Sequence, residues 1–171
     1  MVSGRTLYKF RYKQLMKGME ELIRMAEERG IDVEDLIISA IKERSNDPSE
    51  SIRLRLELAE RFMAEARERL NVNDVIQASE KAYKAAEEIV KALAEKLNTK
   101  EYQLAMREGR WYTYYLSSVA SMRDWSRRGW SSAYVLHVWG FHENKLDVNT
   151  VREYIKDVEE MITKAKEELL K

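Results

Sequence analysis

Both histidines of the chain lie in one largely apolar segment, residues 136–143, whose sequence is LHVWGFHE. The side chains there that can transfer protons or hold a ligand near neutral pH are His137, His142 and Glu143. Gly140 lies between the two histidines, although a glycine weakens a helix by about 1 kcal/mol. Burying imidazole rings without hydrogen-bond partners is costly as well. The segment therefore indicates a specific local structure rather than one more turn of a bundle helix.

The histidine segment has a structural and a metal-binding interpretation. In the first, one ring packs in the core with its nitrogens hydrogen-bonded, and the other faces a neighbouring helix. In the second, His137, His142 and Glu143 bind a metal ion together. Residues five apart differ by about 140° around an α-helix, so these histidines do not form the i, i+4 pair of a zinc helix unless Gly140 breaks the geometry. We predict no metal site and no cofactor.

A third interpretation is a polar pocket in which His142 and Glu143 hold a ligand or act on it. Gly140 would then open the end of its helix. That opening would let His142 face a cleft shared with the helix that bears Glu80 and Lys84. The candidate catalytic residues are therefore His142, Glu143 and His137.

Cations alternate with aromatic residues along the middle of the chain, an arrangement that suits stacked single-stranded bases. The candidate ligand-binding residues are Glu80, Lys84, Arg110, Trp111 and Trp139. Acidic residues share the helix that carries most of the lysines, so the competing interpretation is a set of solvated ion pairs. That interpretation covers Lys81, Lys84, Lys91 and Lys96.

The composition limits the classes of protein to which the chain can belong. A length of 171 residues favours one domain, and 30 basic against 30 acidic residues leave no net charge to hold a polyanion. Cysteine is absent, which excludes disulfides, thiolate metal sites and cysteine catalysis. No apolar run approaches the roughly 18 residues of a membrane span, so we predict a cytoplasmic protein without membrane contact. A charged fraction of 35% is typical of thermophile proteins.

One proline and six glycines interrupt the chain, and no alternating strand pattern occurs, so we predict an almost wholly helical protein. Helix N-terminal signals occur at Asp32, Asp47, Asn73 and Asp147. Segment 75–97 is rich in alanine, and because small side chains allow close approach, this helix should lie centrally. An aromatic helix should run over residues 110–123, and residues 124–129 should form a loop.

These elements predict a helical bundle over residues 47–171 and an N-terminal helical extension over residues 1–46 packed on it, in one compact domain overall. The aromatic residues from Trp111 to Trp130 exceed what one small core can cover. Tryptophan and tyrosine on a helical surface are also typical of an interface between two copies of a chain. We therefore predict a homodimer.

Several phrases are more specific than helical patterning requires. They are DPSE at 47–50, LRLELAE at 54–60, QASEKAYKAAEE at 77–88, EGRW at 108–111 and LHVWGFHE at 136–143. In this order they resemble the archaeal PaREP repetitive-element family, over about residues 47–165. That family is similar in turn to the HEPN helical superfamily. The resemblance implies an all-α fold, an antiparallel four-helix, HEPN-like bundle that commonly dimerises.

The same resemblance bears on activity. HEPN ribonucleases carry an arginine followed by four to six residues and then a histidine, and this chain departs from that rule. The allowed positions before each histidine hold no arginine, and eight residues separate Arg128 from His137. We therefore favour a non-catalytic homodimeric bundle that binds RNA, a nucleotide or a protein partner. The alternative is a divergent HEPN-like ribonuclease or nucleotide-processing enzyme that uses His142 and Glu143.

Overall fold

The structure is a computed structural model that describes residues 4–171, with the side chains of residues 8, 9 and 11–171. All of the regular elements in this range are helices, which confirms the predicted all-α fold. None of these helices combines the length and the apolar character that a membrane crossing needs. The contacts divide the chain into two compact units, one ending at Arg44 and the other covering Ser45–Lys171.

The first unit contains two helices, α1 (Gly4–Glu27) and α2 (Val33–Arg44). Gly30 adopts a left-handed backbone with φ 69° in the turn between them, a conformation that suits glycine. Asp32 begins α2 as predicted, because its carboxylate accepts a hydrogen bond of 2.9 Å from the backbone N–H of Asp35. Among the described side chains of this unit, Ile38 is the buried hydrophobic one. Two helices alone therefore enclose very little core.

The second unit contains four long helical stretches and two short helices. In chain order they are α3 (Glu50–Asn71), α4 (Val75–Lys96), α5 (Lys100–Glu108), α6 (Thr113–Ala120), α7 (Asp124–Val135), a π-helix (Leu136–His142) and α8 (Val148–Leu169). Short turns join α3 to α4 and the π-helix to α8, so the members of each pair run antiparallel. Contacts of α4 with α7 and of α3 with α8 close the bundle.

Helix α4 is the centre of this unit and packs against α3, α5, α6, α7, α8 and the π-helix. Its fully enclosed apolar residues are Ala78, Ala82, Ala85, Ala86, Ile89, Val90, Ala92, Leu93 and Ala94. The alanines let the surrounding helices approach closely, because each presents only a methyl group. The predicted central position of the alanine-rich helix is confirmed.

The central helix α4 also carries charges into the interior. Glu88 and Lys91 of α4 are buried, and the Nζ atom of Lys91 lies 3.4 Å from a Glu88 carboxylate oxygen. The other oxygen of Glu88 accepts a bond of 2.7 Å from Nη1 of buried Arg55 on α3. The Nε atom of Arg55 lies 3.9 Å from the carboxylate of Glu95, which also accepts a bond from the Ser51 hydroxyl. Lys91 is therefore an ion-pair partner in the interior, unlike the solvated lysines that we expected for most of this set.

The predicted loop at residues 124–129 is also wrong, because α7 begins at Asp124. The serine and glycine that suggested a loop serve packing instead. The buried Ser126 hydroxyl donates a hydrogen bond of 2.7 Å to the Ala120 carbonyl, which fixes the turn before α7. Gly129 is buried where α7 crosses α8, beside Met161. Long-range contacts therefore override the local turn signal.

Other helix ends differ from the predictions by a few residues. Asp74, rather than Asn73, caps α4 by accepting a hydrogen bond of 3.1 Å from the backbone N–H of Gln77. Asn73 instead takes a left-handed backbone with φ 58°. Helix α6 is shorter than the predicted aromatic helix at 110–123. The predicted cap of α8 is confirmed, since the Asp147 carboxylate accepts hydrogen bonds from the backbone N–H groups of Asn149 and Thr150.

The close crossing of α7 and α8 gives a first prediction. A Cβ atom at Gly129 would lie 2.5 Å from the Cβ of Met161, an atom that cannot rotate away from the α8 backbone. We expect Gly129→Ala to lower the free energy of unfolding by about 1–3 kcal/mol in urea denaturation followed by circular dichroism. Gly18→Ala is the matched control, because nothing lies within 4 Å of that position in α1. Equal urea midpoints for the two variants would contradict the tight crossing.

The buried charges give a second prediction. Arg55→Ala leaves Glu88 and Glu95 with less positive charge in the interior, so we expect a loss of about 3–5 kcal/mol in the free energy of unfolding. Arg67→Ala on the same helix removes an exposed ion pair of 2.6 Å with Glu159 and should cost at most about 1 kcal/mol. Urea denaturation of both variants measures the difference. A loss for Arg55→Ala no larger than that for Arg67→Ala would contradict the buried cluster.

Candidate functional site

The histidine segment forms a seven-residue π-helix, Leu136–His142, that continues directly from α7. The N–H of Glu143 donates a hydrogen bond of 2.9 Å to the carbonyl of Val138, five residues earlier. Because a π-helix repeats through i→i+5 hydrogen bonds, residues five apart lie on the same side of it. The α-helical geometry assumed for the predictions is therefore wrong here, and His137 and His142 lie side by side.

The two histidines and Glu80 form a chain of polar contacts. Glu80 Oε2 lies 3.1 Å from His137 Nδ1, and His137 Nε2 lies 3.1 Å from His142 Nε2. A carboxylate only accepts, so His137 Nδ1 carries the proton and a neutral His137 presents the lone pair of Nε2 to its neighbour. The side chains of Glu80 and His137 are largely covered, whereas His142 is exposed. The contacts thus connect a shielded carboxylate with an imidazole open to solvent.

Aromatic packing holds the His137 ring in place. Tyr83 of α4 stacks on it with ring centroids 3.9 Å apart, and Phe141 lies on it at 5.9 Å. Trp130 of α7 contacts the same tyrosine at 5.5 Å. Burial, with further contributions from Glu87 and Glu80, raises the pKa of Tyr83, so its hydroxyl stays protonated.

Gly140 has a different role from the predicted one. It is buried against α4, where an added Cβ would lie 2.7 Å from the Cβ of Ser79 and would overlap its hydroxyl. The glycine therefore lets the π-helix approach α4 rather than opening the end of a helix. This contact brings the histidines within reach of Glu80.

The remaining predicted catalytic and cleft residues lie elsewhere. Glu143 is exposed just beyond the π-helix, and its carboxylate makes no hydrogen bond with either imidazole. Lys84 is directed to α3, where its Nζ atom lies 5.8 Å from the ring centroid of Phe62. The structure thus brings Glu80, rather than Glu143 or Lys84, to the histidines.

The other candidate ligand-binding residues occupy three different settings. Trp139 on the π-helix is 52% exposed. Trp111 packs against the core and lies 6.5 Å from Tyr102, with its indole Nε1 buried and without a hydrogen-bond partner among the described residues. Arg110 stacks its guanidinium 4.9 Å above the ring of Tyr112. Arg110 and Trp139 therefore remain accessible to a ligand, whereas Trp111 is a packing residue.

An open groove between α6 and α7 was not predicted. Its volume is about 750 Å³, and its lining residues are Thr113, Tyr114, Ser117, Ala120, Ser121, Arg127, Trp130, Ser131 and Tyr134. Trp130 connects the groove with the histidine cluster, since it contacts both the Ser117 hydroxyl, at 3.0 Å, and Tyr83. The helical spacing of hydroxyl and aromatic residues on 113–121 could have indicated this face, but the false loop at 124–129 hid the second wall.

Tyr114, which lines the groove, also takes part in a stack of side chains. The rings of Tyr114 and Tyr112 stack with their centroids 5.5 Å apart, and the Arg110 guanidinium lies over the Tyr112 ring. We call Arg110, Tyr112 and Tyr114 the stacking ladder. Two of the exposed large side chains of this unit, Tyr114 and Tyr134, therefore face one open groove.

The aromatic surplus that motivated the homodimer prediction is mostly covered by the chain itself. Tyr115 and Trp130 are buried, and Trp111 and Trp125 pack against the core. The indole N–H of Trp125 donates a bond of 2.8 Å to Glu168 of α8. The helices α5 to α7 fold over α4 and enclose these rings, which residue counting alone did not anticipate.

Comparison with known proteins agrees with the fold. Residues 54–162 match the Archaeal PaREP1/PaREP8 family, which confirms the predicted resemblance to the PaREP family. A crystal structure of a Sulfolobus solfataricus protein matches with a TM-score of 0.60 and 37% identity, covering 66% of this chain and 96% of that chain. A solution structure of an Orf c02003 protein matches with a TM-score of 0.56 and 37% identity, covering 64% and 88%. No curated protein matches. This chain belongs to the archaeal PaREP1/PaREP8 family.

Proposed function

We propose that the protein is a non-catalytic homodimer in the cytoplasm that binds single-stranded RNA or a nucleotide in the groove between α6 and α7. The observation that carries the proposal is the stacking ladder of Arg110, Tyr112 and Tyr114, since Tyr114 lines an open groove and stacks on Tyr112, over which Arg110 lies. The chemistry common to both ligands is a flat base joined to a phosphate.

Exposed rings are the first support for this proposal. Tyr114 is 65% exposed and Tyr134 is 46% exposed, and both line the groove. Stacking of a base on an aromatic ring contributes roughly 1–3 kcal/mol and tolerates any base, because every base has a flat face. Single-stranded RNA leaves its bases free to stack in this way, whereas a duplex does not.

Accessible cations and hydroxyls are the second support. Arg110 makes no ion pair among the described residues, and its contact is with a tyrosine ring. Arg127 pairs at 2.9 Å with Asp124, which is fully exposed, and such surface pairs contribute little and exchange readily for a phosphate. The hydroxyls of Thr113, Ser117, Ser121 and Ser131 also line the groove. They supply donors and acceptors for base edges and for the ribose 2′-hydroxyl.

The homodimer in this proposal is supported by the first unit. Its exposed apolar side chains include Leu15, Met16, Leu22, Leu36 and Ile37. An exposed apolar surface of this kind is typical of a protein interface. Because the chain has 30 basic and 30 acidic residues, two copies carry no net charge that would oppose association.

The catalytic alternative, a divergent ribonuclease that uses His142 and Glu143, has a narrower basis. The contacts of Glu80 with His137 and of His137 with His142 would suit acid–base chemistry. However, Glu143 does not join them, and no cation lies in hydrogen-bond contact with either imidazole among the described residues. Such a cation would be needed to stabilise the charge that develops on a scissile phosphate.

The groove gives a third prediction. We expect Tyr114→Ala to weaken binding of a fluorescein-labelled 12-nucleotide oligouridine by about 1–3 kcal/mol in anisotropy titrations at low salt. Tyr12→Ala is the matched control, since this exposed tyrosine of α1 does not line the groove, and it should bind like wild type. A fluorescent uridine nucleotide, titrated in parallel, separates a nucleotide ligand from an RNA strand.

Three outcomes of this experiment would count against the proposal. Wild-type protein that binds neither probe at micromolar concentration would remove it. Equal binding by Tyr114→Ala and wild type would remove the groove as the site. Labelled RNA shortened by wild-type protein but not by His142→Ala would replace a binding protein with the ribonuclease alternative.

Assembly gives a fourth prediction. We expect wild-type protein at about 50 µM to show the mass of two chains in size-exclusion chromatography with light scattering. Leu22→Glu should shift that mass to one chain, because it places a charge in the exposed apolar surface of α1. Lys17→Glu is the matched control, an exposed polar position of the same helix that should remain dimeric. A single-chain mass for the wild type would contradict the dimer.

A further inference from the structure

The relative placement of the two imidazoles differs from a simple head-on hydrogen bond. Their Nε2 atoms lie 3.1 Å apart, and their ring centroids lie only 4.4 Å apart with planes at 81°. In a head-on arrangement, the centroid distance would be the nitrogen separation plus the radius of each ring, which is longer than the observed value. At least one ring is therefore inclined to the line that joins the two Nε2 atoms.

The separation of the two Nε2 atoms is close to that of two histidine nitrogens that share a metal ion. Nitrogens bound at 2.0–2.1 Å to one tetrahedral ion lie about 3.3 Å from each other. We propose that His137 and His142 form a binding site for a divalent transition metal of the class that prefers imidazole, namely Zn²⁺, Ni²⁺ or Cu²⁺. The π-helix creates the site, because it places on one side two residues that an α-helix would separate.

Glu80 completes the arrangement as an orienting residue. Metal-bound histidines commonly donate their second ring N–H to a carboxylate, which fixes the tautomer and the ring orientation. The contact of 3.1 Å between Glu80 Oε2 and His137 Nδ1 has this geometry. It holds the Nδ1 proton on the side away from the metal position and leaves the Nε2 lone pair available. Stacking on Tyr83 at 3.9 Å restricts rotation of the same ring.

The proposed site supplies two protein ligands and leaves the other positions open. No group of three or more histidine, aspartate or glutamate residues in the described part of the chain is placed to hold a metal. Because His142 is exposed, water or a ligand atom from solution can occupy the remaining positions. The nearby carboxylate of Glu80 favours a cation over an anion at this place. The inference does not depend on RNA binding in the α6–α7 groove.

Isothermal titration of the full chain without an affinity tag tests the proposal. We expect one Zn²⁺ or Ni²⁺ ion per chain to bind saturably, Cu²⁺ to bind more tightly than either, and Mg²⁺ to give no binding. His142→Ala should abolish Zn²⁺ binding, since it removes one of two ligands at an exposed position. Glu80→Gln should weaken Zn²⁺ binding by about 10- to 100-fold. Glu57→Gln is its control, removing an exposed carboxylate from α3, and should bind like wild type.

A second measurement reads the ligands directly. In long-range ¹H–¹⁵N spectra of the wild type, Zn²⁺ should shift the Nε2 resonances of both histidines and leave both Nδ1 atoms protonated. The proposal is overturned if the wild type shows no saturable Zn²⁺ binding at 100 µM protein, or if His142→Ala binds as tightly as wild type. It is also overturned if Zn²⁺ shifts neither Nε2 resonance. Failure of RNA binding would leave these results unchanged, so the two proposals are tested separately.

Discussion

The burial of most of α4 is the constraint on which the rest of the second unit depends. Helix α4 packs against α3, α5, α6, α7, α8 and the π-helix, so most of its side chains are buried and must suit an interior. Alanine satisfies this requirement for close approach, and the charged residues satisfy it through partners on neighbouring helices. The same enclosure places Glu80 and Tyr83 beneath the π-helix, where they orient a histidine. The candidate site is therefore an extension of the core.

Sequence patterns predicted the parts of the fold that depend on local chemistry. Asp32 and Asp147 cap the helices that they were expected to cap, because the bonds involved lie within three residues of the aspartate. The alanine stripe predicted the central helix for a similar reason, since close approach needs small side chains whatever the partner. The errors lie where a distant contact decides the outcome. Gly129 and Lys91 have their roles only because α8 and α3 are present.

Residue types predicted which side chains form the candidate site, but they did not predict how these side chains are arranged. Residue types alone drew attention to His137, His142 and Gly140, and the structure does place both histidines in one cluster. Their relative orientation depends on the choice between i→i+4 and i→i+5 hydrogen bonds. That choice is tied to the packing of Gly140 on Ser79, a residue of another helix. Likewise, the second wall of the α6–α7 groove lies on α7, part of which was predicted to be a loop.

The π-helix has a consequence for how this protein can vary within its family. Each residue turns an α-helix by about 100°, and a π-helix accommodates one residue more than an α-helical turn does. Deleting one of residues 138–141 and restoring α-helical winding would place the two histidines four residues apart, about 40° around the axis, so they would stay on one side of the helix. The irregular link at residues 143–147 can absorb the change before α8 begins. A single-codon deletion between the histidines can therefore restore regular α-helical winding and keep the histidine pair while the bundle persists.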